Sequence, residues 1–519
     1  MPSAKTTLRA AVALLAAATG IGLAAVPAAA GPSAGTAAVP AIPDGPALAR
    51  QLVRKVDVAN TNRHLIAFQR IADRNNRNRA AGTAGHEQSA EYVAGKLEAA
   101  GFTVSRQEFP FVEDVTDTQT LVVGGTTIPA FRMTYSESTP AGGVTGTLSV
   151  LPADPTPGCE AADYAPAVGK IALISRGGCS FVVKSLAAAQ GGALAVVAYN
   201  NIPAVPLVGT LVAPVPGSVP IGGVSQALGQ QLVGQDGAPV TLNLQGHLAD
   251  RTSYNVIAET KTGRHDNVVL AGAHIDSVPD GPGINDNGTG TAALLEIALQ
   301  LGGSPKVGNA VRFAFWSGEE LGQLGSAHYV RSLDFEEQLN IALYLNFDMI
   351  GSPNAGYFTF DGDDSAFTGA GPGPYGSGQI EQAFTAYFDY TGVPLESLDI
   401  TTFDYTPFMA GGIPAGGLFS GADGDKTEDQ ADMWGGVAGQ DFDACFHMIC
   451  DNLGNVDRVA VDRNSDAIAF VLGSYAISTE DINGVPARAQ RAKTRAAAAR
   501  AAKVQVSKTT PYAHQGASA

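Results

Sequence analysis

The chain has 519 residues, which is too long for one ordinary domain and enough for two or three. Hydrophobic residues make up 45% and charged residues 16%, a balance that supports buried cores and excludes a wholly disordered chain. The 49 Asp and Glu against 32 Lys and Arg give a formal net charge of −17, which argues against nucleic acid or an anionic membrane as the main partner. We therefore expect a globular monomer without either partner.

Residues 1–30 have the pattern of a secretory signal peptide. Basic residues come before an apolar run over residues 10–26, and alanines that end at Ala30 supply the small side chains of a cleavage site. A membrane anchor is the alternative, but glycines interrupt the run, and no other apolar stretch reaches the ~20 residues of a spanning helix. We expect cleavage after Ala30, a linker or short propeptide over residues 31–44, and a secreted, extracellular protein.

The four cysteines form two local pairs along the sequence, Cys159 with Cys179 and Cys445 with Cys450. An even number of cysteines in an exported chain predicts disulfides, and four cysteines allow three connectivities. The local connectivity, Cys159–Cys179 and Cys445–Cys450, fits two separate domains best. A cysteine metal site is the alternative, but neither pair has the two-residue spacing of zinc ribbons.

Residues 45–109 alternate between helix and strand patterns. Apolar residues at helical spacing predict a helix that ends near Ala72 and a second helix over residues 89–100, which Gly101 stops. Residues 102–109 alternate like a strand. The pattern indicates the start of an α/β domain.

Residues 110–250 have a different pattern, in which short strands such as 119–123 and turns dominate. Residues 169–201 predict a strand, a glycine turn, an amphipathic helix and a strand, and they resemble the protease-associated (PA) domain, an insert of several secreted peptidase families. The resemblance covers residues 143–246. No clustered set of titratable residues occurs there, so we expect a non-catalytic segment. A lid, a substrate filter or an interaction module is implied, and a purely structural insert is an equal alternative.

A buried strand is predicted over residues 268–273, and it ends in His274 and Asp276. Residues two apart in an extended backbone point to one side. A Pro- and Gly-rich loop then leads to Asp286, just before a predicted helix over residues 289–301. Open α/β sheets bind ligands at the carboxyl ends of their strands. These side chains therefore indicate metal ligands at that edge.

Two further predicted strands end in carboxylates. Residues 310–316 lead through a glycine to Glu319 and Glu320, and residues 343–347 lead to Asp348. A carboxylate buried among apolar neighbours must be paired or ligated, which favours a ligand role for Asp348. The alternative for Glu319 and Glu320 is a helix N-terminus, whose dipole favours acidic residues.

His447 lies between Cys445 and Cys450, where a disulfide would stiffen the loop that carries the imidazole. Alone it would more often be a structural histidine, but the other candidate ligands favour a role with them. The candidates exceed the three protein ligands of one catalytic zinc and suit two ions that share a carboxylate. Nitrogen and oxygen donors without a thiolate favour zinc, although cobalt or manganese also fits. The candidates are His274, Asp286, Glu320, Asp348 and His447, with Glu319 left over.

Residues 62–109 and 254–480 resemble the secreted bacterial M28 zinc aminopeptidases, particularly the Streptomyces type of leucyl aminopeptidase. The resemblance rests on motifs that occur in the same order on both sides of the insert. They are NRAAGTAG from Asn78, AGAHIDSV from Ala271, GINDNGTG from Gly283, SGEELG from Ser317, LNFDMIGSPN from Leu345, MWGGVAGQ from Met433, and the segment from Cys445 to Cys450.

This resemblance implies two zinc ions per chain, with a calcium ion, structural or activating, as a further candidate cofactor. Glu319 would be the general base, and Asp276 would orient His274 through its second ring nitrogen. The implied ligands are His274 and Asp348 for one ion, Glu320 and His447 for the other, and Asp286 as the bridge between them.

The implied fold is α/β, with a mixed, mostly parallel sheet of about eight strands flanked by helices. Residues 45–109 and 251–484 would form this domain, with a β-rich PA domain inserted at residues 110–250. The implied reaction is hydrolysis of the peptide bond after a free N-terminal residue, preferably a large hydrophobic one such as Leu. A water shared by the two ions would attack the carbonyl, with Glu319 taking its proton. Glu319 and Asp348 would hold the α-amine.

Two residues depart from the Streptomyces pattern. Phe446 stands where that type has a Tyr, whose hydroxyl would steady the developing oxyanion, and Thr402 stands where that type has an Arg. We expect altered specificity or lower activity on leucyl substrates, with oxyanion stabilisation left to the metal or supplied by Tyr405.

The last segment, residues 485–519, is rich in Ala and basic residues, and residues 487–519 contain no Asp or Glu. It would form a helix on an acidic surface, be trimmed after export or be disordered, and disorder or removal is favoured because it has no apolar face. Its basic residues are Arg488, Arg491, Lys493, Arg495, Arg500, Lys503 and Lys508.

Three other functions are alternatives to an aminopeptidase. A metal-free receptor on the same scaffold would have lost the ligands, and all are present in the sequence. A glutaminyl cyclase with a single zinc should not keep His274 and His447 beside a full bridging set. A carboxypeptidase needs a basic pocket for the substrate carboxylate, and the sequence does not locate one.

Overall fold

The computed structural model describes residues 46–202, 206–367, 371–399 and 403–480, with short pieces at 489–490, 492–493 and 495–497. The predicted signal peptide and linker, Thr402 and most of the basic tail lie outside the described residues. Within the described part, no helix has both the length and the apolar character needed to cross a membrane.

The described strands join into one continuous mixed sheet of fourteen strands. In chain order they are β1 (Thr103–Val123), β2 (Thr126–Ile128), β3 (Phe131–Arg132), β4 (Val144–Val150), β5 (Ile171–Ser175), β6 (Ala195–Tyr199), β7 (Ile221–Val224), β8 (Pro239–Glu259), β9 (Arg264–His274), β10 (Asn309–Trp316), β11 (Ile341–Phe347), β12 (Phe358–Phe360), β13 (Glu396–Leu398) and β14 (Ala415–Phe419).

Helices cover the sheet or connect its strands. In chain order the described α-helices are α1 (Ala47–Lys55), α2 (Val58–Arg74), α3 (Ala84–Ala99), α4 (Phe181–Gln190), α5 (Gln226–Val233), α6 (Gly290–Leu301), α7 (Leu324–Ser332), α8 (Phe335–Gln338), α9 (Ser377–Thr391), α10 (Thr406–Ala410), α11 (Glu428–Trp434) and α12 (Arg458–Ile477).

Eight of the strands form the main sheet, in the order β13-β12-β14-β11-β9-β10-β8-β1. The pairs β13–β12, β14–β11, β11–β9 and β9–β10 are parallel, and the other three are antiparallel. The prediction of a mixed, mostly parallel sheet of about eight strands is confirmed. Strand β11 is buried along its whole length, which explains its continuous apolar sequence.

Alternate side chains of the central strands pack on opposite faces of the main sheet. On one face Val269 and Phe313 join a core with residues of α2, α3, α6, α9 and α12. On the other face Leu270 and Trp316 pack with residues of α7 and α10. The two-residue period of the strands thus supplies an apolar surface for helices on both faces.

The insert is joined to the main sheet by two strands of 21 residues each, β1 and β8. They pair antiparallel along nearly their full length, and the predicted limits at residues 110 and 250 lie inside them. The sheet continues from β8 through β4, β5, β6 and β7 to β3. The predicted strand, turn, helix and strand of residues 169–201 are β5, α4 and β6.

Helix α3 begins earlier than the predicted residue 89. Thr83 caps it by accepting a hydrogen bond from the backbone N–H of His86, and the helix starts at Ala84. Its first turn contains Gly85, which leaves the apolar pattern weak there. The cap, a short-range polar contact, therefore determines the start of the helix.

Among the described residues of the predicted tail, Arg495 is buried. Its guanidinium donates hydrogen bonds to the backbone carbonyls of Gln338, Ile341 and Ala342, next to and within the start of β11. This part of the tail therefore contacts the amino end of a central strand.

Candidate metal centre

The first predicted ligand lies at the carboxyl end of β9. His274 is the last residue of that strand, and its side chain is 1% exposed. Its Nδ1 lies 3.2 Å from the backbone carbonyl oxygen of Asp276 and 3.6 Å from the Asp276 carboxylate. Because a carbonyl oxygen only accepts, Nδ1 carries a proton and Nε2 is left for a metal. Asp276 thus contacts Nδ1 of His274, as predicted. Its backbone carbonyl oxygen lies nearer to that nitrogen than its carboxylate does.

Asp286 lies in a distorted turn, Ile284–Thr289, that leads into α6. Gly283 precedes the turn with a φ of 62°, and an added side-chain carbon there would lie 2.4 Å from the Asp286 carbonyl oxygen. The backbone N–H groups of Asn285 and Asp286 donate to the carboxylate of Asp451 at 2.7 and 3.0 Å. These contacts hold the Asp286 backbone in place.

The other predicted ligands come from neighbouring strand ends and one loop. Glu320 follows β10 after a turn at Gly318, which has a φ of 72°. Asp348 directly follows β11, and His447 lies in the loop that the Cys445–Cys450 disulfide closes. Strands β10, β9 and β11 are parallel neighbours, so their carboxyl ends lie at one edge of the sheet.

The two oxygens of Asp286 face different histidines. Oδ1 lies 3.2 Å from His274 Nε2, and Oδ2 lies 3.2 Å from His447 Nε2. Asp348 Oδ1 is 3.4 Å from His274 Nε2, and Glu320 Oε2 is 3.0 Å from His447 Nε2. The structure therefore brings all five predicted ligands together, in two groups that share Asp286.

This donor set fits zinc. Two ligands bonded to one tetrahedral zinc at about 2.1 Å are about 3.4 Å apart, close to the 3.0 to 3.4 Å separations of these donor atoms. Glu320 Oε1 is a buried oxygen without a hydrogen-bond partner among the described residues. Such an atom is costly to bury alone, and a bound cation would satisfy it.

Both histidines favour the positively charged form, with a proton on each ring nitrogen, when no metal is bound. Removal from water lowers both pKa values, although the His447 side chain is still 44% exposed, and the carboxylates outweigh it, led by Asp348 at His274 and by Glu320 at His447. The pKa of His274 rises well above its usual value, and that of His447 rises to about 11. Burial opposes ionisation of Asp286, yet the two histidines lower the pKa of its carboxyl.

Zinc binding should therefore release protons. If His274 and His447 bind zinc, each must lose the proton that its raised pKa favours, so the apparent affinity falls about tenfold per released proton for each unit of pH lowered. Calorimetric titration with zinc in buffers of different ionisation enthalpy counts these protons. We expect the released protons to come from both histidines and from Glu320, because burial raises the pKa of its carboxyl to about 7, and the exposed His247→Gln should release as many as wild type. Zinc binding without release of protons would contradict this assignment.

Glu319 lies beside the two ligand groups. Gln323 Nε2 donates to its Oε1 at 3.1 Å. Burial raises the pKa of the Glu319 carboxyl well above its usual value; His274 opposes this, and the carboxylates of Asp404 and Asp348 add to it. A carboxylate that gains a proton readily, next to candidate metal ligands, has the properties of a general base.

A small cavity lies next to Asp348 at the carboxyl ends of β11 and β14. Most of its wall is apolar. Tyr405 also contributes to the wall; it is 2% exposed, and its hydroxyl has no hydrogen-bond partner among the described residues. The lining residues are Asn346, Asp348, Phe403, Tyr405, Gly417, Leu418 and Phe419.

Phe446 lies against a candidate ligand. Its ring stacks on the imidazole of His447, with centroids 3.8 Å apart and an angle of 24° between the planes. Phe446 therefore contacts the centre, but it offers no hydroxyl. Thr402, the other residue that departs from the Streptomyces pattern, lies outside the described residues.

Both predicted disulfides, Cys159–Cys179 and Cys445–Cys450, are present. All four cysteines are thus oxidised, and no thiol remains for a metal. The alternative of a cysteine metal site is excluded.

Three residues near the site have contacts that the sequence does not predict. Asp451 accepts the two N–H groups at Asp286, Asp404 accepts from the hydroxyl of Ser326 at 2.5 Å, and Arg79 binds loop carbonyls close to His274. The only sequence signals were their positions: after Cys450, in the segment TTFDYTPF, and in the motif NRAAGTAG. Their partners are far away in the chain, so no local pattern could name them.

A second acidic group lies away from this centre. The carboxylates of Asp361, Asp363 and Glu381 have oxygens within 4.8 Å of one another. They already accept hydrogen bonds from backbone N–H groups, which come from Gly362, Ser365 and Ala366.

Imidazole and carboxylate donors at the carboxyl ends of parallel strands, with a partly buried Glu beside them, define an α/β metallohydrolase. Residues 255–472 match Peptidase family M28, and residues 144–232 match the PA domain. The chain therefore belongs to peptidase family M28 and carries a PA domain, and it is a metallo-exopeptidase. The predicted family and insert are confirmed.

Similar proteins support this membership. The chain is 45% identical over 462 residues to "Probable lipoprotein aminopeptidase LpqL" of Mycobacterium tuberculosis, covering 87% of this chain and 92% of the relative. It is 43% identical over 450 residues to "Probable leucine aminopeptidase 2" of Aspergillus fumigatus, covering 85% and 86%. The structure of a zinc aminopeptidase from Bacillus subtilis is similar with a TM-score of 0.65 and 26% identity, covering 82% of this chain and 96% of that one.

Proposed function

We propose that the protein is a secreted aminopeptidase with two zinc ions, which removes large hydrophobic N-terminal residues such as Leu. The observation that carries the proposal is the placement of Asp286, whose two oxygens face two different histidines. A carboxylate so placed suits a bridge between two ions. The names of the relatives, an aminopeptidase and a leucine aminopeptidase among them, support the substrate class.

The ligand roles follow from the two groups. His274 and Asp348 would hold one ion, and His447 and Glu320 the other, with Asp286 between them. The hydrogen bond from Nδ1 of His274 to Asp276 fixes the ring orientation. When bound, zinc would acidify a water molecule and polarise the substrate carbonyl.

The general base in this proposal is Glu319. Its carboxylate takes a proton from the attacking water and returns it to the amine that leaves. Burial beside Asp348 and Asp404, which raises its pKa, suits it for holding that proton between the two steps. Glu319 and Asp348 also supply negative charge for the α-ammonium group of the substrate, which restricts cleavage to a free N-terminus.

The preference for a large apolar residue is supported by the cavity beside Asp348. Phe403, Leu418 and Phe419 give it an apolar wall next to the proposed metal ligand. An apolar side chain of the N-terminal residue would gain about 25 cal/mol for each Å² that it buries there. This apolar wall supports the proposed preference for Leu.

Phe446→Tyr should raise kcat on leucyl-p-nitroanilide. The added hydroxyl would be next to His447 and could steady the developing oxyanion, a contribution worth up to ~10²-fold in kcat. Steady-state kinetics measures it, and Phe446→Leu serves as a control that changes the ring without adding a donor. An unchanged kcat in Phe446→Tyr would show that the reaction does not need a hydroxyl group at position 446. Tyr405→Phe then tests whether Tyr405 supplies it.

Several further assignments belong to the same proposal. Secretion is supported by the signal-peptide pattern of residues 1–30 and by the two disulfides, which need an oxidising compartment. We propose a monomer with the PA domain over residues 143–246, acting as a lid, filter, interaction module or structural insert. The calcium ion stays a prediction, which activity after dialysis against a calcium chelator tests.

Peptides that differ only at their ends test the proposed activity. We expect release of the first residue from a leucyl peptide, no cleavage of the same peptide with an acetylated N-terminus, and no effect of amidating the C-terminus. Cleavage of the acetylated peptide from its free C-terminus would show a carboxypeptidase. Cyclisation of an N-terminal Gln with one zinc per chain would show a glutaminyl cyclase.

A further inference from the structure

Arg79 is a buried cation that the proposed chemistry does not use. It lies in the motif NRAAGTAG before α3, has no exposed surface, and its guanidinium lies 5.1 Å from the centre of the Phe68 ring. A buried charge is costly unless hydrogen bonds and opposite charges compensate it. Those compensating groups lie around the candidate metal centre.

The guanidinium binds both ends of the loop between two proposed zinc ligands. Nη1 donates to the carbonyl of Ile275, which directly follows His274. Nε donates to the carbonyl of Pro282 at 2.9 Å, and Nη2 donates to that of Gly283 at 2.5 Å, where the turn carrying Asp286 begins. A guanidinium is planar and rigid, so it fixes these carbonyls relative to one another.

The middle and the far side of the same loop are held as well. The backbone N–H of Arg79 donates to Ser277 Oγ at 2.9 Å, and this hydroxyl donates to the carbonyl of Gly281 at 3.0 Å. On the other side the carboxylate of Asp451 accepts the N–H of Asp286. The Arg79 cation therefore binds carbonyl groups of this segment, and the Asp451 anion binds its N–H groups. Each of these hydrogen bonds includes a charged partner, which strengthens it.

The charge of Arg79 also matches its surroundings. Burial lowers its pKa to about 10, while Asp276, Asp451, Asp286 and Glu320 oppose this decrease. The guanidinium thus stays protonated at neutral pH and offsets part of the negative charge of the centre.

We propose that Arg79 is a positioning residue for zinc, which holds the backbones of His274 and Asp286 at the separation that a shared ion requires. Its contacts are with loop carbonyls at both ends of the segment, so it acts through the ligands. The inference rests on the proposed two-zinc function and extends it to the residue that sets the affinity of the centre.

Two variants separate the effect of the hydrogen bonds from that of the charge. Arg79→Met removes the hydrogen bonds and the charge. Arg79→Lys keeps the charge, but its ammonium group is a single point donor that cannot bind both ends of the loop. We expect both to weaken zinc binding about 10- to 100-fold, the usual loss when a group behind a ligand is removed. Competition with a chromophoric chelator measures the affinity. The exposed Arg74→Met is the control and should bind zinc like wild type.

Thermal unfolding of the zinc-free proteins excludes a merely structural role. We expect Arg79→Lys to unfold within a few degrees of wild type without zinc, and to gain less stability than wild type when zinc is added. Wild-type zinc affinity in Arg79→Lys would overturn the proposal, as would a lower unfolding temperature without any change of affinity. If Arg79→Met does not fold, Arg79→Lys decides. If wild type itself binds no zinc, the proposed function fails instead.

Discussion

Glu319→Gln should abolish aminopeptidase activity while both zinc ions stay bound. The amide keeps the size of the side chain but cannot take a proton from water, and the general-base contribution is worth ~10²–10⁴-fold in rate. The ligands are other residues, so the zinc content should equal that of wild type. Hydrolysis of leucyl-p-nitroanilide and metal analysis of the same preparation provide the two readings.

A matched substitution elsewhere controls for a general effect of replacing Glu by Gln. Glu91 is an exposed residue of α3, and Glu91→Gln should keep full activity and full zinc content. Full activity in Glu319→Gln would end its assignment as general base. Loss of zinc together with activity would instead make Glu319 a ligand.

Asp286→Ala should lose both metal sites at once. Each of its oxygens faces a different histidine, so removing the carboxylate takes a ligand from both groups. Activity should fall by several orders of magnitude, because the acidification of water by ~8 pKa units depends on the bound ions. Metal analysis after dialysis should find less than one zinc per chain.

The control for this variant is Asp280→Ala, an exposed aspartate in the same loop, which should retain two zinc ions and full activity. Circular dichroism should show that Asp286→Ala is folded. Loss of one zinc with the other retained would contradict the bridging role, since it would place Asp286 in one group only.

The central strands and the candidate ligands at their ends could be predicted because both depend on local pattern. Strand β9 has an apolar run that ends in His274, and Asp348 stands alone after the apolar β11. Buried parallel strands need apolar residues throughout, so a polar residue at the end is conspicuous. The two disulfides could be predicted for a similar reason, since each joins cysteines close in sequence.

The parts that could not be predicted depend on contacts between distant segments or on exposed backbone. The sequence predicts strand β1 as two pieces, 102–109 and 119–123, because its middle is only partly buried and lacks an alternating pattern. Its pairing with β8 joins them. The carboxylate of Asp451 and the guanidinium of Arg79 act on backbone groups far away in the chain, and such partners have no sequence pattern.

The central claim is a two-zinc centre that is needed for removal of N-terminal residues. Metal-free protein titrated with zinc, with leucyl-p-nitroanilide hydrolysis followed at each addition, tests it most directly. We predict no activity without metal, and binding that saturates at two zinc ions per chain together with full activity. Saturation at one zinc, or activity that does not depend on zinc, would contradict the claim.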